Sequence, residues 1–265
     1  MYSRTAFAVV LLAALSAPPP AAAQDMMRHV DLDSPDMTEA ELTRADVEAR
    51  LVDATADRPA DFTGMRLNGL DLSGLDFKGA VLRGARLNKA NLAGADLSGA
   101  VLDQAWVLDA DLTGADLSGA NIFQAQLVGS KMDGADLSGA RIVGDLSYTS
   151  LKGARFRGAR LGADMRNQSM GLMRGVLRKA MLDGADFSGA DLSRVDFEFA
   201  SLRDADLRGA NLMSAELAGA DLTGAKVAGA NFNEADVNAA TLRGLVGVDD
   251  SNLDQARNLA AARRD

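Results

Sequence analysis

The sequence predicts an all-β solenoid, and three features of its repeats indicate this fold class. A large apolar residue, here called the centre, recurs at every fifth position, seventeen times in succession from Phe62 to Ile142 and fourteen times from Leu177 to Leu242. The residue two places before the centre is Ala in thirteen of the first seventeen repeats and twelve of the next fourteen. Glycine recurs two places after the centre, as at Gly99. Two positions in five therefore face a core, and the chain turns between them.

Neither an α-helix nor a long straight strand accounts for this period. Five residues of α-helix rotate the chain by about 500°, so a stripe at that interval winds around the helix. Side chains two apart in an extended segment share a face, so Ala and the centre both point inward if the remaining residues turn a corner. Glycine provides the positive φ of a type II turn, and Asp or Asn before the centre can bond the nearby backbone. Each pentapeptide is thus predicted to form one short side and one corner.

The composition excludes several classes of protein. The 265 residues carry a net charge of -9, with no cysteine and a single histidine. A disulfide scaffold is excluded, histidine-based catalysis and most metal enzymes are disfavoured, and a general nucleic-acid binder would need clustered Lys and Arg. No nucleophile–base pair, phosphate-binding loop or clustered set of zinc ligands is present, and a convex solenoid offers no water-excluding pocket. We therefore expect no enzymatic activity, no catalytic residue, no cofactor and no metal site.

The first residues have the order of a secretory signal peptide. Arg4 precedes an apolar run from Ala6 to Leu15, and Pro18 to Pro20 lead into the small residues that end at Ala23. Cleavage after Ala23 is predicted, and the apolar run is shorter than the roughly 20 residues that span a bilayer. We expect residues 1–23 to be a signal peptide, residues 24–37 a flexible leader, and the protein to be exported to the periplasm or outside the cell without a transmembrane segment.

The repeated units resemble those of the pentapeptide-repeat family. ADLSG occurs at 95–99, 115–119 and 135–139, ADFSG at 185–189, and the pattern A-(D/N)-(L/F)-x-G covers residues 60–244. The resemblance implies a right-handed quadrilateral β-helix of four pentapeptides per coil, with about nine coils over residues 59–244. The centres fill its core, and the representative core residues are Leu72, Phe77, Leu97, Leu117, Leu137, Phe187, Leu207 and Phe232.

Both ends of a solenoid need a cover, and the sequence predicts a short α-helix at each. Thr38 and Glu41 have the spacing of a capping box, and apolar residues follow at helical spacing until Pro59, so residues 38–58 form the N-terminal capping helix. Ser251 and Asp254 can begin a second helix within residues 245–265. The stretch LDQAR at 253–257 is also similar to tails that follow such repeats in the family.

The repeat is interrupted once, near its middle. The centres Ile142 and Leu146 are four residues apart, and eleven residues separate Leu161 from Leu172, so residues 162–171 are predicted to be irregular. Nine basic residues surround this break with only two acids between 141 and 180. They form a predicted basic girdle of Arg141, Lys152, Arg155, Arg157, Arg160, Arg166, Arg174, Arg178 and Lys179.

A coil of four pentapeptides also predicts an acidic ladder on one face. Its members are Asp76, Asp96, Asp116 and Asp136 and, beyond the interruption, Asp196, Glu216 and Asp236. Like charges about 5 Å apart should attract cations or a basic partner, or raise their own pKa values. The girdle could bind an anionic lipid headgroup or envelope polymer. Trp106 and Tyr148, on one predicted face two coils apart, and Phe123 on the next face suggest contact with a partner, with mispacked repeat positions as the alternative. For ladder and girdle alike, the alternative is ordinary solvated surface charge.

These features favour a non-enzymatic exported scaffold that presents flat charged faces to a partner, either a protein or an anionic component of the cell envelope, and not to nucleic acid. The family resemblance implies an alternative, a DNA mimic that binds the type II topoisomerase gyrase. That alternative is weakened by the signal peptide and by the charge spacing of the ladder, one per ~4.8 Å against one per ~1.7 Å in DNA. The resemblance also implies a possible homodimer joined end to end.

Overall fold

A computed structural model describes residues 30–55, 57–163 and 173–265. The predicted signal peptide, the first part of the leader and most of the predicted irregular segment lie outside the described residues. The described residues from 31 onward belong to one compact unit. Within the described part of the chain, no helix has the length and apolar character needed to cross a membrane.

The repeats wind into a four-sided coil in which parallel bridges link equivalent residues of successive coils. Face 1 begins at Asp61, face 2 at Arg66, face 3 at Asp71 and face 4 at Asp76, and each bridges to the residue four pentapeptides later. The chain visits the faces in this order, so faces 2 and 4 lie on opposite sides of the coil. Along face 1 the stacked residues are Asp61, Val81, Val101, Asn121, Arg141, Arg160, Asp191, Asn211 and Asn231.

Backbone hydrogen bonds join successive coils, and the centres and alanines fill the space between the faces. The N–H of Leu97 donates to the carbonyl of Asp116 (2.6 Å), and the N–H of Asp116 donates to the carbonyl of Ala95 (3.0 Å). Each buried Leu contributes on the order of 1.5 to 3 kcal/mol. The structure buries all eight representative core residues completely: Leu72, Phe77, Leu97, Leu117, Leu137, Phe187, Leu207 and Phe232.

Two longer strands replace the corner between faces 1 and 2 at two successive coils. Strand β1 spans Asn121–Gln126, strand β2 spans Arg141–Asp145, and the two are parallel with a register shift after Phe123. Strand β2 is one residue shorter than strand β1. This missing residue accounts for the spacing of four, instead of five, between the centres Ile142 and Leu146. Gly144 makes the short step possible, because a Cβ at this position would lie 2.5 Å from the carbonyl oxygen of Ala125.

The N-terminal cover differs in detail from the one predicted. Helix α1 spans Pro35–Thr38 and helix α2 spans Arg44–Val52, and the capping box joins Thr43 and Asp46 instead of Thr38 and Glu41. Residues 39–42 cannot be helical because the backbone N–H of Glu41 donates to the carbonyl of Arg66 in the first coil. The prediction of a flexible leader is wrong for residues 31–37, since they carry α1 and the buried side chain of Met37.

The C-terminal α-helix was wrongly predicted. Three 3₁₀ turns occur instead, at Val248–Asp250, Leu253–Gln255 and Leu259–Ala261. Residues after the second and third turns pair with the preceding coil, where Asp236 bridges Arg257 and Thr241 bridges Arg263. This pairing requires extended backbone at intervals that an α-helix cannot provide, so the tail closes the solenoid as a final irregular layer with Leu253 buried.

Candidate interaction surface

The acidic ladder does not continue on one face, which corrects the sequence prediction. Face 4 stacks Asp76, Asp96, Asp116, Asp136, Arg155, Asp186, Asp206, Lys226 and Val246. The remaining predicted members, Asp196, Glu216 and Asp236, stack on face 2 together with Val176 and Arg257. The two halves of the predicted ladder therefore lie on opposite sides of the molecule.

The interruption explains this split. Asp136 bridges Arg155, one position short of the regular step, and Arg155 bridges Asp186, more than half a coil beyond it. The backbone N–H of Gly175 donates to the carbonyl of Leu161 (2.9 Å), so the hydrogen-bonded path of the coil closes directly between these two residues. The chain from Asp136 to Asp186 thus contains half a coil more than two regular coils need. Counting in regular steps across the interruption therefore assigns every later residue to the opposite face.

Acidic side chains of face 4 accept hydrogen bonds from the backbone two residues later in the same turn. The Asp96 carboxylate accepts the backbone N–H of Ser98 (2.8 Å), and Asp136 accepts that of Ser138 (2.9 Å). Burial raises the pKa of Asp96, but the hydrogen bonds from Ser98 outweigh it, so the pKa lies below its ordinary value of 3.8. Burial also raises the pKa of Asp136, but the hydrogen bonds from Ser138 and the hydrogen bond and charge of Arg155 outweigh it, so this pKa too lies below its ordinary value. The expected rise in pKa from like-charge repulsion is therefore wrong at both carboxylates.

Face 2 carries a cluster of buried and half-buried ion pairs beside the interruption. Both terminal nitrogens of Arg174 donate to the carboxylate of Glu216 at 2.8 Å. The Asp196 carboxylate is 2% exposed and is bonded by Arg178 at 2.5 Å, with Arg174 at 3.6 Å. Burial raises the pKa of Glu198, and the nearby Arg178 guanidinium opposes that rise. The cluster holds Arg174, the first basic residue after the interruption, against two later coils.

The basic girdle encircles the coil, and most of its described arginines are paired with acids. Arg141 and Arg160 lie on face 1, Lys152 at the corner between faces 3 and 4, Arg155 on face 4, Arg157 at the corner between faces 4 and 1, and Arg174, Arg178 and Lys179 on or beside face 2. Arg155 bonds Asp136, and Arg157 bonds Asp186. Arg166 lies outside the described residues. Girdle and ladder, predicted as separate surfaces, thus partly neutralise each other.

A row of exposed side chains runs along the corner between faces 2 and 3. Tyr148, Lys179 and Phe199 occupy the slot two places after the centre, where the repeat normally has glycine, with φ values of 61°, 55° and 59°. Tyr148 and Phe199 are 57% and 61% exposed. Tyr148 was predicted from the sequence to contact a partner, but the row was not predicted, although three successive coils lack the usual glycine at this corner.

The N-terminal residues attach to the same side of the molecule. The Asn68 side chain donates to the carbonyls of Asp36 and Glu39, and the Asn88 side chain donates to that of Met37. Arg66 on face 2 bonds the Asp36 carboxylate at 2.9 Å. Nothing in the repeat pattern had indicated this attachment. Residues 30–55, 57–163 and 173–265 contain no group of acidic or histidine side chains arranged to hold a metal ion.

These features define a β-helical repeat protein whose distinctive side chains gather around one face. Pentapeptide repeats match the sequence in 8 copies, at residues 60–94, 109–139, 176–209, 190–227 and 210–244, which together make up just over half of the chain. The protein belongs to the pentapeptide-repeat family, which confirms the resemblance found in the sequence.

Several solved structures are similar to this chain. HetL, a pentapeptide repeat protein involved in heterocyst differentiation regulation from the cyanobacterium Nostoc sp. strain PCC 7120, is 27% identical, with 81% of this chain and 96% of HetL covered and a TM-score of 0.41. QnrB1, a plasmid-mediated fluoroquinolone resistance protein, is 18% identical over 74% of this chain and 90% of its own, with a TM-score of 0.36. A pentapeptide repeat protein from the Arabidopsis thaliana thylakoid lumen is 26% identical, with 48% of this chain and 68% of that protein covered and a TM-score of 0.19. No curated protein shows a significant match.

Proposed function

We propose that the protein is a non-enzymatic scaffold that binds its partner through the side centred on face 2. The observation that carries this proposal is the row of Tyr148, Lys179 and Phe199 in slots where the repeat has glycine. A left-handed backbone costs a residue with a Cβ roughly 1 to 2 kcal/mol, and such strain tends to persist where function needs the side chain. Exposed aromatic residues are also frequent anchors of protein interfaces.

A crosslinking experiment in the cell tests the choice of face. A photocrosslinking amino acid is introduced in place of Phe199 on the face 2 side, or in place of Ser118 on face 4 as the matched control. We expect adducts with a partner from the Phe199 position and few from the Ser118 position. Adducts from Ser118 alone would contradict the proposal.

We also propose that the scaffold acts after export, with an envelope protein or an anionic envelope component as its partner. Support comes from the signal-like order of residues 1–23 in the sequence. Fractionation of cells that carry a C-terminally tagged copy tests this part. Recovery in the periplasm or the medium with a shortened N-terminus is expected, and an unprocessed cytoplasmic protein would contradict it.

One observation favours the alternative of a gyrase-binding DNA mimic. Asp76, Asp96 and Asp116 stack on face 4 without an ion pair to any described residue. The row is short, however, because Arg155 follows Asp136 in the stack, and its charges are more widely spaced than those of DNA. Cytoplasmic retention together with gyrase adducts from the Ser118 position would establish the alternative and exclude the scaffold proposal.

A further inference from the structure

The row of Tyr148, Lys179 and Phe199, here called the strip, places one side chain on each of three successive coils. The backbone N–H of Tyr148 donates to the carbonyl of Arg178 (2.9 Å), and the N–H of Lys179 donates to that of Glu198 (3.0 Å). Stacked strands lie about 4.8 Å apart, so the two aromatic residues are separated by about 10 Å with the lysine between them. The strip therefore runs parallel to the axis of the solenoid.

The chemistry of the strip is a cation between two apolar groups. The Lys179 ammonium lies 5.2 Å from the centre of the Tyr148 ring and 3.4 Å from its hydroxyl oxygen. The neighbouring Arg178 is paired with Asp196 and Glu198, whereas Lys179 forms no ion pair with any described residue. Met181, 39% exposed at the start of face 3, extends the apolar surface beside the lysine. A complementary ligand would present a carboxylate between two apolar side chains.

We propose that the strip binds an amphipathic α-helix of the partner protein, with apolar residues at positions i and i+7 and an acidic residue at i+3 or i+4. The inference rests on the proposed function, because it names the partner of the same side of the molecule. One turn of an α-helix rises about 5.4 Å, so side chains on one face of a helix recur at nearly the spacing of successive coils. The apolar side chains would contact Tyr148 and Phe199, and the carboxylate would pair with Lys179.

An extended partner segment fits the strip less well. Side chains on one face of a strand recur about every two residues of rise, roughly 6.6 Å, which exceeds the coil spacing by about 2 Å at each step. Over two coils the misfit reaches about 4 Å, against about 1 Å for a helix laid along the corner. The helix also places its acidic residue midway between its two apolar residues, opposite Lys179.

A defined peptide tests the inference in vitro. The probe is a fluorescein-labelled, Ala-based helical peptide of about 18 residues with Leu at i and i+7 and Glu at i+4, titrated with the full-length chain and followed by anisotropy. We expect saturable binding that Tyr148→Ala or Phe199→Ala weakens about tenfold. Lys179→Glu should abolish binding of the Glu peptide and restore binding to a matched peptide with Lys at i+4.

Lys89→Glu is the matched control, because Lys89 lies at the same corner with a φ of 57° but three coils before Tyr148, the first residue of the strip. It should leave binding unchanged. Equal binding of the Glu and Lys peptides, an effect of Lys89→Glu as large as that of Lys179→Glu, or binding of a soluble N-acetylglucosamine oligomer in place of the peptide would overturn the inference.

The peptide result and the crosslinking result can fail separately. Partner adducts from the Phe199 position without peptide binding would leave the scaffold proposal in place and reject the helix as its ligand. Peptide binding that survives when Phe199 yields no adduct in cells would support the strip as a helix-binding surface and reject its use in the proposed scaffold.

Discussion

Faces 2 and 4 of the coil have the same backbone hydrogen bonds and the same core, yet their surfaces differ. The corners on either side of face 4 are formed almost entirely by glycines, with Asp204 as the exception among the described residues. The corners beside face 2 carry side chains at left-handed positions: Lys89, Gln104, Asp109, Gln124, Tyr148, Lys179, Arg194, Phe199, Ser214, Glu234 and Ala239. The N-terminal attachment, both long strands and the closure between Leu161 and Gly175 also lie on the face 2 side.

The difference shows that the repeat keeps one core while the surface around it varies. Centres and alanines maintain the coil wherever they occur, so the outward and corner positions are free to vary. Glycine is the least strained residue at these corners, and every departure from it costs free energy. Face 4 follows the low-energy pattern, and face 2 departs from it where side chains are displayed.

The largest expected effect tests whether the centres beneath face 2 and those beneath face 4 belong to one core. Leu117→Asp beneath face 4 and Leu177→Asp beneath face 2 each place a charge at a fully buried position. Each should cost more than about 4 kcal/mol and abolish cooperative unfolding, measured by circular dichroism on heating. Ser118→Asp, on the surface beside Leu117, is the control and should unfold like the wild type. Tolerance of either core substitution would contradict the shared core.

A smaller effect should separate the ion pairs of the two faces. Arg174→Ala removes two charge-assisted hydrogen bonds to Glu216 beside the buried Asp196, at an expected cost of about 1.5 to 3 kcal/mol. Arg155→Ala removes a pair to Asp136 in which the arginine is 53% exposed, at a cost below about 1 kcal/mol. Urea unfolding of both variants provides the comparison. Equal losses would show that the face 2 cluster has no special role in stability.

Glycine substitutions should distinguish the corners themselves. Gly119→Ala, beside face 4, has open space around the new Cβ and a φ of 65°, so it should cost about 1 to 2 kcal/mol through backbone strain alone. Gly219→Ala should cost up to about 1 kcal/mol more, because its Cβ would lie 2.6 Å from the Phe199 ring. In a Phe199→Ala background the two glycine variants should become equal. A persistent difference in a double-mutant cycle would refute a contribution from the ring.

The smallest effect is the dependence of stability on pH. Its sign should differ between Asp96 on face 4 and Glu198 beside face 2. The folded pKa of Asp96 lies below 3.8, so its contribution to stability is complete above 3.8 and is lost as the pH falls through the lowered folded value. The folded pKa of Glu198 lies above 4.5, so stability falls as the pH rises from 4.5 through that higher value. Asp96→Asn should flatten the loss of stability in acid, and Glu198→Gln should raise stability at neutral pH. Unfolding free energies between pH 3 and 7 check both signs, and a loss of stability in Glu198→Gln at pH 7 would contradict the second.

The repeat fold could be predicted from the sequence because each pentapeptide contains both the residues that face the core and the residue that turns the backbone. The five-residue interval of Leu97, Leu117 and similar centres requires a corner at each step, and the glycines identify where the backbone turns. The ends were harder to predict. Thr38 and Glu41 have capping-box spacing, but pairing of Glu41 with the first coil excludes a helix there. The C-terminal residues likewise have a helical pattern that pairing with the last coil overrides.

Sequence alone determined the period, the core and the face shared by Asp76, Asp96, Asp116 and Asp136, since local spacing fixes all three. Only the tertiary structure decided how the coils align across the interruption. The spacing of the centres cannot show whether the residues of the interruption continue around the coil or are left out of it. Both arrangements preserve the pattern of apolar centres on either side. The closure between Leu161 and Gly175 makes that choice. It places Asp196 and Glu216 opposite the first half of the ladder, beside the strip.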